Sequence, residues 1–127
     1  MIKQQLEKAQ TVLYDLKDYG MAYCLFRELD TYIPNNIKVV EGLILSISHN
    51  FDFESVKEHF GSFYPECVYY LNRYRIIQKN TNRIYEFDER YKKLYQEYKN
   101  YKSSILFIRI VSILLIAGLF FLISQLF

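Results

Sequence analysis

The sequence has no tryptophan, and only two cysteines, two histidines, two prolines and four glycines among 127 residues. Each scarcity removes a class of chemistry. Gly20, Gly42, Gly61 and Gly118 stand alone, so no glycine-rich loop is present to cradle a phosphate. Cys24, Cys67, His49 and His59 show neither CxxC nor HxxxH spacing. A zinc site would have to gather four scattered residues. Cys67 with His59 as a nucleophile pair has no neighbour in sequence that would activate the thiol. The two cysteines form no close motif, and reduced thiols in a cytosolic setting are the expectation. The chain also lacks a charge excess of either sign, with 16 basic and 14 acidic residues and a formal net charge of +2. That balance alone points to no acidic or nucleic-acid partner. No catalytic constellation, metal site or cofactor is implied, and the expected function is non-enzymatic.

Hydrophobic and aromatic residues are plentiful, including 13 Tyr and 10 Phe. The clearest feature is the apolar run Ile105 to Phe127, ILFIRIVSILLIAGLFFLISQLF. As a helix it would span roughly 35 Å, enough for a hydrocarbon core of about 30 Å. A buried core helix is a poor alternative, because so small a soluble part cannot wrap a helix that is apolar on all sides. The flank before the run holds Arg90, Lys92, Lys93, Lys99 and Lys102 against one acid, Glu97. The positive-inside rule then places the preceding residues in the cytosol. The opening MIKQQLEKAQ has no apolar signal-peptide core. The expected protein is therefore single-pass and tail-anchored, with Lys92, Lys93, Lys99, Lys102 and Arg109 at the membrane interface.

Arg109 has two readings. Its long stem lifts the guanidinium to the headgroups, or a ring of Arg109 side chains faces a pore or an acidic partner helix. Tyr91, Leu94, Tyr98, Tyr101, Ile105, Ile108, Ser112, Leu115, Leu119 and Leu122 alternate steps of three and four. This seam offers a route to a homo-oligomer, though no GxxxG supports it.

The rest reads as mainly α. Ile2, Leu6, Ala9, Leu13 and Leu16 mark a first helix before Gly20. Ala22, Leu25, Phe26, Leu29 and Ile33 mark a second, which Pro34 ends. The two make an N-terminal helical pair, residues 1–34. A third helix runs from about Ile37 to Ser48, and His49-Asn50 breaks it. Asp52 is placed to cap a short helix that Gly61 stops. Ser62 to Pro65 turns the chain into a helix that Glu66 opens. In RIIQKNTNRIYEF, two short runs rich in Ile, Tyr and Phe flank NTN, which predicts a β-hairpin. Asp88 then opens the last helix.

VVEGLILSI, FESVKEHFG, SFYPECVYYLNRYRII and QKNTNRIYEFDERYKKLYQEY together resemble a winged helix-turn-helix domain over residues 36–98. That resemblance implies a recognition helix and a β-wing. A rival resemblance is to helical repeats. DYGMAYCLFRELDTYIPNN is similar to the second helix of a tetratricopeptide unit, and NNIKVVEGLILSISHNFDFESVKEHF to a pentatricopeptide hairpin. The β-branched and aromatic content around NTN favours the wing.

Residues 36–90 carry seven basic and eight acidic side chains, which argues against generic DNA binding. Yet Cys67 to Tyr85 holds Arg73, Arg75, Lys79 and Arg83 and no acid. In a DNA-binding winged helix these are phosphate-contacting places; beside a bilayer they could equally face anionic lipid. Tyr64, Tyr69, Tyr70, Tyr74 and Tyr85 cannot all be buried with partners in so small a core. Tyr69, Tyr70, Arg73, Arg75, Lys79 and Arg83 are thus the expected partner-binding face. The expected function is a membrane-tethered adaptor that holds a protein or DNA at the bilayer. A membrane-bound DNA-binding regulator and an oligomerising, membrane-permeabilising effector are the alternatives.

Overall fold

In a computed structural model describing residues 1–127, the chain is helical throughout and contains no strand. The helices are α1 (Ile2–Tyr14), α2 (Tyr19–Tyr32), α3 (Ile37–Ile47), α4 (Phe53–Val56), α5 (Phe60–Ile77) and α6 (Thr81–Leu126).

Local chemistry sets the breaks. Asp18 caps α2 by accepting from the Met21 N–H at 3.1 Å. Asn36 caps α3 through the N–H groups of Lys38 and Val39. Both caps satisfy donors that a helix start leaves without partners. Helix α3 is the centre of the fold. Val39, Val40, Leu43, Ile44, Leu45 and Ile47 are buried along it, and α1, α2 and α5 pack around it. Gly42 lets α2 come close. A Cβ there would meet the Phe26 ring at 2.4–2.6 Å. From α1, the expected stripe is inward at Ala9 and Leu13, whereas Ile2 and Leu16 are exposed.

The main core takes residues from α1, α2, α3, α5 and α6, with Leu71, Tyr74 and Phe87 closing it. A second cluster, Val56, Phe60 and Leu94, joins α4 and α5 to α6. Between α3 and α4 the chain makes a left-handed turn: His49, Asn50 and Phe51 have φ of 49°, 58° and 58°. Non-glycine residues rarely adopt this region. Arg90 holds the turn by donating to the Asn50 carbonyl at 2.9 Å and its side-chain oxygen at 2.8 Å. The same guanidinium lies 4.6 Å from the Phe51 ring centre.

The winged-helix expectation is overturned, because RIIQKNTNRIYEF forms no hairpin. It is the end of α5, a bend at Gln78–Asn80 and the start of α6. Asn80 caps α6 by accepting from the N–H groups of Asn82 and Arg83. Ile77, Ile84, Phe87 and Tyr91 pack on the main core at steps of seven, three and four, which is a helical stripe. An isolated two-stranded hairpin would have had no sheet to lean on. The expected start of the last helix at Asp88 is likewise displaced, since that residue lies inside α6. Gly61 does not stop a helix; it sits in the first turn of α5, and Pro65 is carried inside that helix. Pro65 has no N–H, so α5 lacks its bond to the Gly61 carbonyl and little else.

Gly42→Ala is expected to destabilise the protein by about 1–3 kcal/mol, since the Phe26 ring must move. Gly20 has only Asp18 Oδ1 near, at 3.9 Å. Gly20→Ala should be neutral or stabilising by up to about 1 kcal/mol. Urea unfolding of the full chain in detergent, followed by circular dichroism, separates the two.

Candidate functional site

The expected partner face lies on α5 and the first turns of α6, and most of its cations are engaged within the fold. Arg73 makes a bidentate pair with Asp30 of α2, both bonds 2.7 Å. Its guanidinium carbon is also 5.8 Å from the Tyr69 ring centre and 5.6 Å from that of Tyr70. Arg75 donates to Asp88 of α6 and to Asn72, each at 2.6 Å. Arg83 donates to Glu41 of α3 and to Glu86, each at 3.2 Å. Glu41 also accepts from the Tyr74 hydroxyl at 3.0 Å. The hydrogen bonds to Asp30 and Glu41 push the proton affinities of Arg73 and Arg83 further up. Both cations are therefore fixed as charged struts between helices. Lys79 is exposed and makes no ion pair.

Exposure sorts the tyrosines. Tyr70 and Tyr74 are buried, and Tyr69 stays largely open at 57%. Ile76, one heptad further along α5, is 84% exposed, and Tyr85 on α6 is 67% exposed. Tyr85 lies one turn before Asp88, the partner of Arg75. Tyr69, Ile76, Tyr85 and Lys79 remain exposed here, and Arg75 is half-exposed but paired with Asp88. Sequence reasoning missed Ile76, whose place in an apolar pair suggested a strand. It also missed Asp30 and Glu41, which meet their arginines across 43 and 42 residues of chain. No local spacing signals such pairs.

Cys67 and His49 are packed within the fold. Burial, reinforced by the Glu66 charge, pushes the Cys67 thiol up to about 12, so it carries no thiolate at neutral pH. Cys24 lies exposed on another helix face. His49 stacks on Tyr19 with ring centres 4.6 Å apart. Burial lowers its proton affinity, Asp52 raises it, and His59 lowers it again. Tyr23 donates a hydrogen bond to Glu66, tying α2 to α5.

Helix α6 carries the residues expected at a membrane interface. It is 46 residues long and contains a stretch of mean hydropathy 2.8 with none of it buried. By length and composition this one helix could cross a bilayer. The first four positions of the expected seam are used by the chain itself. Tyr91 and Leu94 pack into the domain, Tyr98 meets the Phe60 ring at 4.7 Å, and Tyr101 meets Phe53 edge-on at 5.8 Å. Lys92 pairs loosely with Glu89 at 3.6 Å, and Lys99 lies over Tyr95 at 4.8 Å. Lys93 lines a groove beside Arg90 and Phe53. Lys102 and Arg109 share a cleft of about 570 Å³ with Lys57, between the α4–α5 junction and α6.

No known family model, curated protein or solved structure matches this chain.

Arg73→Lys keeps the charge but loses the fork, and should cost about 1–2 kcal/mol of stability. Pairing it with Asp30→Asn in a double-mutant cycle should give strong coupling; additive effects would show the pair to be idle. A second outcome concerns pH. The unfolded chain binds the His49 proton more tightly than the fold does. Stability should therefore fall as pH drops below the ordinary value of 6.5. Unfolding midpoints between about pH 7.5 and about pH 5.5 should decline less in His49→Asn, which removes the titrating imidazole and suits the left-handed backbone.

Proposed function

We propose that the protein is a non-enzymatic, single-pass membrane adaptor. Helix α6 crosses the bilayer, and the helical domain before it stands on the cytosolic side and holds a macromolecular partner at the surface. One observation carries this reading. The helix that buries Phe87 and Leu94 in the domain continues without a break into an apolar stretch with nothing packed on it. A soluble chain would leave that stretch in water at great cost. The flank from Arg90 to Lys102 gives the orientation.

The partner surface is Tyr69, Ile76 and Tyr85, with Arg75 and Lys79 at its edge. Exposed aromatic and aliphatic side chains beside a cation favour a protein partner. The DNA reading has lost the wing on which it rested, and Arg73, Arg75 and Arg83 already have carboxylate partners. The oligomerising reading keeps only the seam positions beyond Tyr101.

The test is synthesis of the full chain with membrane vesicles, followed by alkaline extraction and external protease. The chain should stay in the membrane, and protease should remove the helical domain. Leu114→Asp with Leu115→Asp, each costing about 3 kcal/mol at a helix centre, should release it. A photo-crosslinker at Ile76 or Tyr85 should give an adduct of defined mass that one at Lys3 does not. Release of the wild type by alkali, or labelling no different from that at Lys3, would sink the corresponding half of the proposal.

A further inference from the structure

The cleft between the α4–α5 junction and α6 has a composition that the adaptor reading does not use. Its cations are Lys57, Lys102 and Arg109, against one carboxylate, Glu58. Lys57 comes from the end of α4, whereas the other two come from α6. The fold has brought together charges that lie more than 40 residues apart in the chain. Lys102 and Arg109 have no carboxylate partner. Lys57 is paired only with Glu54 at 3.1 Å, and Glu54 is itself 77% exposed. An exposed pair of this kind is weak and yields readily to a stronger anion.

The aromatic lining places the ammonium groups. Lys57 lies 5.7 Å from the Tyr101 ring centre, and Lys102 lies 5.4 Å from that of Tyr98. Tyr98 in turn reaches the domain where a side chain is missing. A Cβ at Gly61 would come within 2.5 Å of the Tyr98 hydroxyl oxygen. Along α6 the apolar lining residues Ile105 and Leu106 lie between Lys102 and Arg109. The cleft therefore sits where the apolar run begins, and α6 carries no further charged side chain beyond Arg109.

We infer that this cleft binds the phosphate headgroup of an anionic phospholipid, with its acyl chains lying along the uncharged turns of α6 beyond Arg109. The inference rests on α6 crossing a bilayer. The volume of about 570 Å³ falls within the usual range of small-ligand sites, roughly 300–1,000 Å³. Lys57, Lys102 and Arg109 supply the donors for the phosphate, and Ser103 adds a hydroxyl beside them. A basic flank alone would attract anionic lipid without regard to Lys57, which stands on the domain and not on the flank. The involvement of Lys57 thus distinguishes a site from a diffuse attraction.

The test uses the full chain reconstituted in vesicles of equal phosphatidylcholine and phosphatidylglycerol. Lipid retained after solubilisation and purification is counted by mass spectrometry. Alkaline extraction of the same vesicles reports whether α6 is inserted. The wild type should be extraction-resistant and enriched in phosphatidylglycerol. Lys57→Gln and Lys102→Gln should each reduce that enrichment by about fivefold. Lys99→Gln, which removes the same charge from the flank outside the cleft, should leave it nearly unchanged. Circular dichroism confirms that each variant is folded. Release of the wild type by alkali overturns the spanning reading and this site together. An inserted wild type with no lipid preference overturns the site alone. So does an enrichment that Lys57→Gln leaves intact, or one that Lys99→Gln lowers equally.

Discussion

The contact of the Phe26 ring with Gly42 is the constraint on which the domain is built. Helix α3 is short and apolar on nearly every side, so it must be covered all round. Three helices do this, and the closest approach comes from α2 at the one position without a side chain. With α2 so near, Ala22 and Leu29 also reach the core, and α1 folds over both helices. On the opposite side Leu71 and Tyr74 of α5 complete the cover. The polar side chains in this interior are short and locally satisfied. Ser46 and Ser48 bond back to the Gly42 and Ile44 carbonyls at 2.7 and 2.8 Å.

Around this apolar centre the outer helices are tied by charge. Glu41 of α3 receives both Tyr74 of α5 and Arg83 of α6, so three helices meet at one carboxylate. Arg73 with Asp30 fastens α5 to α2, and Arg90 fastens α6 to the left-handed turn after α3. Removing one partner of such a pair would strand the other's charge in a half-buried place. A partner seeking phosphate or carboxylate contacts finds few free cations on the α5 side. The free ones are concentrated lower, where the domain meets the apolar part of α6.

Much of this was readable from the amino acids. The first three helices and the apolar run of α6 are where apolar spacing places them, whereas that spacing does not single out the caps Asp18 and Asn36, and the expected cap Asp52 makes no capping hydrogen bond. The region around NTN misleads because β-branched and aromatic residues dominate it, yet Ile77, Ile84, Phe87 and Tyr91 carry a helical period that runs through the polar bend. Tertiary burial outweighs local preference there. Asn80, read as the tip of a wing, is a helix cap; the same polar residue type suits both roles. Arg73 and Arg83 looked free because Asp30 and Glu41 lie on α2 and α3, far away in the chain, and Arg75 because Asp88 meets it only across the α5–α6 bend. The cleft was equally hidden, since nothing in the sequence joins Lys57 to Arg109.

The absence of any break in α6 between the domain and its apolar stretch has a mechanical consequence. A flexible tether would let the domain drift over a hemisphere, sampling every direction. Here the two ends turn as one body, like the head and shaft of a key. Each residue added between Lys99 and Ser104 would rotate the domain by about 100° and lift it by about 1.5 Å. The length of that segment thus sets a compass bearing as well as a height. Whatever neighbours the apolar stretch in the plane of a bilayer also dictates which way Tyr69, Ile76 and Tyr85 look out.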